Sequence, residues 1–497
     1  MNTTYDKIKK ATGRMGDRMV RSAWALVMAG TVMTTLTACD DWFDVRPKSQ
    51  VKENDLFKTE AGFRDATLGV YTLMADQDAY GGNMTMGLLD VLAQQYTNVN
   101  SAYASAVTYG YSDIYNKPRI EAMWTKCYEA IANCNHILAQ VDGANGGVLS
   151  DKMRRIVKGE ALAVRAYLHF DMMRLYAPSY MAGRDRKSVP YVATVTVSAQ
   201  PSPTVGEMCD KLVADLTEAR ALLKDADPIL EAGYTEKSTY DSQSYLSDDG
   251  FLLYRTSRLN YYGVTALLAR VSLYKQDMKA ALAYAREVIE SGRFALVDDA
   301  VLAQDAQDTR FDKGTFTFMM SVARHEYISG LYVYNLKEGI SDLYFRDSES
   351  ASLRTSDIRK QAVFGSDGLD FDIRAKRMFG VPSGSNNEYT CKYLTGTQIP
   401  LLKIGEMYLI AAEASGDPSW LQTLRTKRGY HDTAIAQADL MEEIRREYQR
   451  EFYAEGQLFY YYKRMNLAKI PYSTVATSDA IYVLPQPDDE LEFGSGE

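Results

Sequence analysis

The sequence predicts a mainly α fold, a scaffold of paired helices stacked as an α-solenoid and interrupted by an irregular, loop-rich region. Three observations carry this expectation. Apolar residues recur at helical spacing over long segments; those segments come in pairs joined by turn-forming stretches; and the periodicity fades between residues 295 and 400, where glycine and serine rise and aromatic residues stay frequent. With 497 residues, 46% hydrophobic and 24% charged, the chain has globular proportions and is long enough for one large core or two ordinary ones.

The order of elements begins with a leader. Lys7, Lys9, Lys10, Arg14, Arg18 and Arg21 precede an uncharged apolar run over residues 23–37. At about fifteen residues this run is shorter than the roughly twenty needed to span a bilayer, the pattern of a signal peptide. It ends in Leu36-Thr37-Ala38-Cys39, which resembles a bacterial lipobox. That likeness implies removal of residues 1–38 and acylation of Cys39 at the start of a mature chain 39–497. Three acyl chains would anchor it firmly where one is marginal. Asp40 and Asp41 resemble the export signal that takes some Gram-negative lipoproteins to the cell surface.

Residues 54–74 read as a first amphipathic helix, and the Gly-, Asn-, Ser- and Tyr-rich stretch 77–113 as partly exposed loop. Segments 119–140 and 152–175 flank a glycine-rich turn and form a helix hairpin. A strand-like run at 189–197 precedes Pro201 and Pro203, after which Thr204 is placed to cap a helix running through Leu223. Residues 259–291 give a second hairpin whose small residues (Gly263, Ala266, Ala269, Ala280, Ala281, Ala283, Ala285) suit close packing and resemble a tetratricopeptide repeat. A further pair, 401–415 and 418–427, leads to a charged helix at 440–453. The expected division is therefore a helical scaffold over about 54–295 and 399–470 with an irregular insertion at about 296–398, all in one domain.

Composition excludes some functions. A formal charge of -9 supplies no basic field for phosphate backbones, so no nucleic-acid partner is expected. Cys127, Cys134, Cys209 and Cys391 contain no CxxC pair, and seven residues of helix separate the first two by about 10.5 Å, beyond disulfide reach, so they read as buried apolar residues. The four histidines lack metal-binding spacing, and no P-loop, GxGxxG or GxSxG occurs, so neither metal nor cofactor is expected and no catalytic residue is assigned. His169 reads as a hydrogen-bonded packing residue, and Glu160, Arg165, Arg446 and Glu455 as ion-paired structural charges. The unusual count is tyrosine, 36 against 16 Phe and 4 Trp, a ring that tolerates half-wet surfaces.

Several stretches, in order, resemble the SusD/RagB family of nutrient-binding outer-membrane lipoproteins. They are Trp124 to Asn135 (WTKCYEAIANCN), Gly159 to Phe170 (GEALAVRAYLHF), Pro203-Thr204-Val205 with Asp215-Leu216 and Ala219, Ile399 to Ala414, Arg425 to Gly429, Arg445-Arg446-Glu447 with Glu455-Gly456, and Leu484-Pro485-Gln486-Pro487. One departure follows Glu455-Gly456, where Gln457-Leu458-Phe459-Tyr460-Tyr461-Tyr462-Lys463-Arg464 replaces the family's usual run and implies a divergent subgroup. The resemblance implies a non-enzymatic cell-surface protein that captures a nutrient, a glycan by preference, and hands it to a SusC-like TonB-dependent transporter. A peptide-binding lid of the RagB type and a surface lipoprotein hydrolase are the alternatives. It also implies a ligand surface built from the early loop and the irregular middle, here 77–113 and 324–350. Tyrosine faces can desolvate the C–H face of a sugar while amides and guanidinium groups bond its hydroxyls. The candidates are Tyr80, Asn83, Tyr96, Asn98, Asn100 and Tyr103 from the first loop, and Tyr327, Tyr332, Tyr334, Tyr344 and Arg346 from the second.

Overall fold

The computed structural model describes residues 53–144, 147–232, 234, 250–307, 318–344, 353–380, 387–393, 396–431 and 434–494. The leader and Cys39 lie outside them. The chain divides after Leu56, and Phe57–Glu497 forms one compact unit. Within it the fold is mainly helical.

Helix α1 (Glu60–Met74) starts where the Thr59 hydroxyl accepts from the Gly62 amide, and it buries Phe63, Val70, Tyr71 and Met74 on one face. The short α2 (Leu88–Leu92) is wholly buried. Two 26-residue helices, α3 (Asn116–Val141) and α4 (Asp151–Tyr176), form the first hairpin, slightly longer than the sequence periodicity indicates. From Gly159 to Tyr176 every residue of α4 is buried, because α3, α1 and the next helix cover it on several sides. That helix, α5 (Val205–Lys224), opens on a capping box. The Thr204 hydroxyl accepts from the Glu207 amide, and the Glu207 carboxylate accepts from the Thr204 amide. Where α5 crosses α4, a Cβ on Gly159 would sit 2.9 Å from the Leu223 side chain, so only glycine permits the approach.

The second hairpin pairs α6 (Tyr261–Tyr274) with α7 (Met278–Glu290). Beyond α8 (Asp299–Asp305) and α9 (Phe318–Glu326), β1 (Tyr327–Tyr332) leads to α10 (Leu336–Tyr344). The described part of 296–398 otherwise holds small strands and helices of five to eight residues, too short to develop a 3.6-residue pattern. A later strand, β2 (Gln398–Lys403), pairs antiparallel with β1 and runs into α11 (Ile404–Ser415), which forms a third hairpin with α12 (Pro418–Lys427). Helices α13 (Leu440–Glu451) and α14 (Gln457–Arg464) follow.

Two expectations are corrected. Residues 189–197 form no strand. Pro190 removes an amide donor, and the carbonyls of Pro190 and Val192 accept instead from the Tyr128 hydroxyl (2.8 Å) and the Asn135 amide (2.9 Å) of α3. Residues 401–403 are strand, not helix, because their backbone completes the ladder with β1.

Glu160, Arg165, Lys403, Arg428, Glu447 and Glu455, charged residues of the resembling stretches, are buried and paired. Glu160 accepts from Arg255, from Arg258 (3.1 Å) and from the Tyr71 hydroxyl (3.2 Å). Arg165 is bidentate to Asp215 at 2.9 and 2.8 Å. His169 lies against the Arg165 carbonyl through Nδ1 (2.9 Å) and accepts the Val192 amide at Nε2 (3.0 Å), and burial holds its ring neutral, down to about 3. Around Glu451 a hub forms in which Arg428 donates at 2.8 Å and Arg374 at 2.7 Å, with Lys403 at 3.3 Å. Arg428 reaches on to Glu326 at 2.6 and 2.8 Å, and Lys403 to Glu455 at 2.9 Å. Burial pushes the Glu447 carboxyl upward, but Arg374, Arg450 and Arg425 overrule it and hold it at about 2. Arg446, in contrast, is half-exposed and pairs within its own helix with Glu442 and Glu443. Cys127 and Cys134 are buried free thiols, and burial pushes Cys134 up to about 12.

Candidate functional site

Helix α1 ends at Ala75, and the polar run Asp76-Gln77-Asp78 turns the chain at once. Asp76 Oδ1 accepts the Asp78 amide at 2.9 Å, and the Asp76 carbonyl accepts the amides of Ala79 (3.0 Å) and Gly81 (2.9 Å). This winding leaves no room at Gly81, where a Cβ would lie 2.1 Å from the Ala75 carbonyl oxygen. The Asn83 amide donates to Asp78 Oδ1 at 3.4 Å and steadies that carboxylate.

The opposite wall comes from far along the chain. Past β1 the Val333 amide donates to the Thr397 carbonyl (2.8 Å), so the extended alternation continues. Val333 is buried, whereas Tyr332 is 49% and Tyr334 77% exposed. Asn335 then takes a left-handed conformation (φ 52°), as asparagine does at low cost, and starts α10. Gln77 Nε2 donates to the Gly339 carbonyl at 2.9 Å and joins the two walls. Between them lies an open cleft of roughly 430 Å³ lined by Asp76, Gln77, Asp78, Tyr334 and Asn335, among others, a size that suits a small ligand.

The candidates are distributed unevenly. Tyr334 lines the cleft, and Tyr332 stands exposed two residues before it. Asn83 is buried behind Asp78. Tyr80, at 2% exposure, is a core residue whose hydroxyl donates to Asp171 (2.8 Å), and Tyr96 is buried with its hydroxyl on the Met86 carbonyl (2.7 Å). Tyr103 is buried under Arg119, whose guanidinium carbon lies 4.1 Å from the ring centroid, and Tyr327 is buried opposite Lys403. Asn98 exchanges backbone hydrogen bonds with Arg354, and half-buried Asn100 caps a short 3-10 turn. The Tyr344 side chain and Arg346 lie outside the described residues. The cleft residues missed by sequence reasoning are Asp76, Gln77, Asp78 and Asn335; the available signal was a polar triplet directly after an apolar helix, and an asparagine after alternating Tyr-Val-Tyr.

Among the described residues no group of three His, Cys, Asp or Glu side chains is placed to hold a metal ion, and no helix is long and apolar enough to cross a membrane. Fold and cleft together define a helix-hairpin scaffold that presents an open, tyrosine-bearing groove between an early loop and a mid-chain strand end.

A family model described as "Starch-binding associating with outer membrane" matches residues 41–243, and one described as "SusD family" matches residues 298–474. The chain belongs to the SusD/RagB family. No curated protein sequence matches it. Among solved structures it is similar to a SusD-like carbohydrate binding protein from Bacteroides vulgatus, with 18% identity and a TM-score of 0.66 over 88% of this chain and 96% of that one. It is also similar to a SusD superfamily protein from Bacteroides thetaiotaomicron (18% identity, TM-score 0.63, 87% and 98% coverage) and to a laminarin binding SusD-like protein (16% identity, TM-score 0.62, 88% and 98% coverage).

Proposed function

We propose that this protein is a cell-surface binding lipoprotein, anchored in the outer membrane through Cys39 of a single-domain mature chain 39–497, that captures a glycan in the cleft and delivers it to a SusC-like TonB-dependent transporter. The observation that carries the reading is the position of Tyr334. Tyr334 sets a 77% exposed ring beside carboxylates and amides on the cleft wall, and this set matches the two needs of a sugar, an aromatic face for its C–H surface and acceptors for its hydroxyls. Outer-membrane association of the family and the carbohydrate-binding relatives named above support it. The role is capture without turnover, in which the helical scaffold holds the cleft rigid and the transporter supplies the energy.

The test is isothermal titration of the mature chain with soluble polysaccharides, laminarin included, alongside chromatography of the mixtures. Binding that is lost in Tyr334→Ala, with the polysaccharide unchanged in length, supports the proposal. Binding indifferent to Tyr334→Ala would remove the cleft from it, and steady release of oligosaccharides would replace it with hydrolysis.

A further inference from the structure

We infer that the cleft selects uncharged glycans and rejects those bearing uronate or sulfate groups. This rests on the reading of the cleft as the glycan site and adds the class of sugar it accepts. Among the described residues its lining contains two carboxylates, Asp76 and Asp78, and no basic side chain. Lys126 stands 3.5 Å from Asp76 but is shared with Glu129 at 3.4 Å, so Asp76 is partly compensated, and among the described residues no ion pair forms on Asp78. Among the described residues Asp78 has the neutral Asn83 amide as its one side-chain donor. Arg119 is spent behind the loop on the Tyr103 ring and the Ala102 carbonyl.

Other local charges do not reverse the sign. The C-terminal end of α1 and the N-terminal end of α10 both border the cleft, and their opposite half-charges offset. Lys337, which follows the lining residue Leu336, is exposed to solvent and is not itself one of the residues lining the cleft. The uncompensated carboxylate therefore sets the potential. A sugar hydroxyl can donate to Asp76 or Asp78, whereas the carboxylate group of a uronate has no proton to give and meets a like charge. At about 6 Å in water-like surroundings that repulsion weakens binding about threefold per charged group, and more as the cleft dries on occupation. The effect shrinks with added salt, because surface charges are screened over about 10 Å at 0.1 M.

The experiment titrates the mature chain at low and high salt with a neutral set (laminarin, dextran, mannan) and an acidic set (polygalacturonate, alginate, chondroitin sulfate), each repeated with Asp76→Asn/Asp78→Asn. That double variant is isosteric and keeps the Oδ1 acceptors used by the Asp78 amide and by Asn83. The expected result is measurable affinity for at least one neutral glycan, at least threefold weaker or no affinity for every acidic one, and a gain of acidic-glycan affinity in the double variant. Acidic glycans bound by the wild type as tightly as neutral ones, or no gain in the variant, would overturn the selectivity and leave the glycan reading standing. Failure of both sets to bind would overturn the glycan reading itself, and the selectivity with it.

Discussion

Asp76 and Asp78 at the cleft and Glu447 and Glu451 in the C-terminal hub are the same functional group under opposite conditions. Glu451 is sealed from water among Arg428, Arg374 and Lys403, each within 3.3 Å. Among the described residues Asp76 has one lysine, shared and partly solvated, and Asp78 has none. In the interior an unpaired charge costs several kcal/mol, so the hub persists only if every member has a partner. At the cleft, water bears the solvation and the carboxylate lone pairs stay available. Charged residues of the family signatures therefore report on the fold. On the proposed reading of the cleft, charge available for recognition lies where pairing is incomplete and an aromatic ring stands uncovered.

The hub side of this contrast breaks most visibly with Glu451→Gln. The substitution leaves three buried cations without their shared anion, and the expected loss is about 3–5 kcal/mol of stability, read from urea or thermal unfolding of the mature chain. A loss below about 1 kcal/mol would mean that water reaches the hub and that the two regions do not differ in kind.

Acid provides the second test. The Glu447 carboxyl is held at about 2 against an ordinary value of 4.5. A group depressed in the folded state stabilises it fully above the ordinary value, and that contribution is lost as pH falls from about 4.5 toward 2. A shift of this size is worth on the order of 3 kcal/mol. Unfolding midpoints of the wild type should be insensitive to this group above pH 5 and fall below pH 4.5, while Glu447→Gln should be less stable at pH 6 and show a shallower acid slope. Parallel acid slopes for the two proteins would detach Glu447 from the effect.

The long helices were legible because apolar residues recur at helical spacing over many turns, even in α4, which is buried on every side past Gly159, and Thr204 was legible as a cap because its hydroxyl and Glu207 sit three residues apart before an apolar run. The strand at 398–403 was not, since its ladder partner lies some seventy residues earlier and a short apolar run serves helix or strand equally well. The two loop regions were legible as regions, and parts of both meet at the cleft. The individual tyrosines were not. A tyrosine suits a core with one buried acceptor as well as a wet surface, so Tyr80 on Asp171 and Tyr334 in the open carry the same local signal. Gly81 sharpens this point on the cleft side. Its substitution by alanine places a methyl group against the Ala75 carbonyl, and the expected cost is about 1–3 kcal/mol in unfolding experiments, with weakened ligand binding, because the wall carrying Asp76 and Asp78 must shift. Alanine tolerated without effect would show that wall to be looser than its hydrogen bonds indicate.

The smallest expected change in stability is at Tyr334, and it separates the two regions most cleanly. The side chain is 77% exposed, so its truncation to alanine removes little buried area and should move the unfolding midpoint by no more than about 0.5 kcal/mol. If the ring is a binding platform, the same substitution lowers glycan affinity about tenfold or more, or about 1.4 kcal/mol, in titration calorimetry. Tyr80→Ala should do the reverse. It empties a buried ring position and strips Asp171 of a donor, at about 3–5 kcal/mol in stability, and no contact with ligand is lost directly. A large stability loss at Tyr334, or affinity loss equal in the two variants once both are fully folded, would mean that exposure does not mark the recognition surface here.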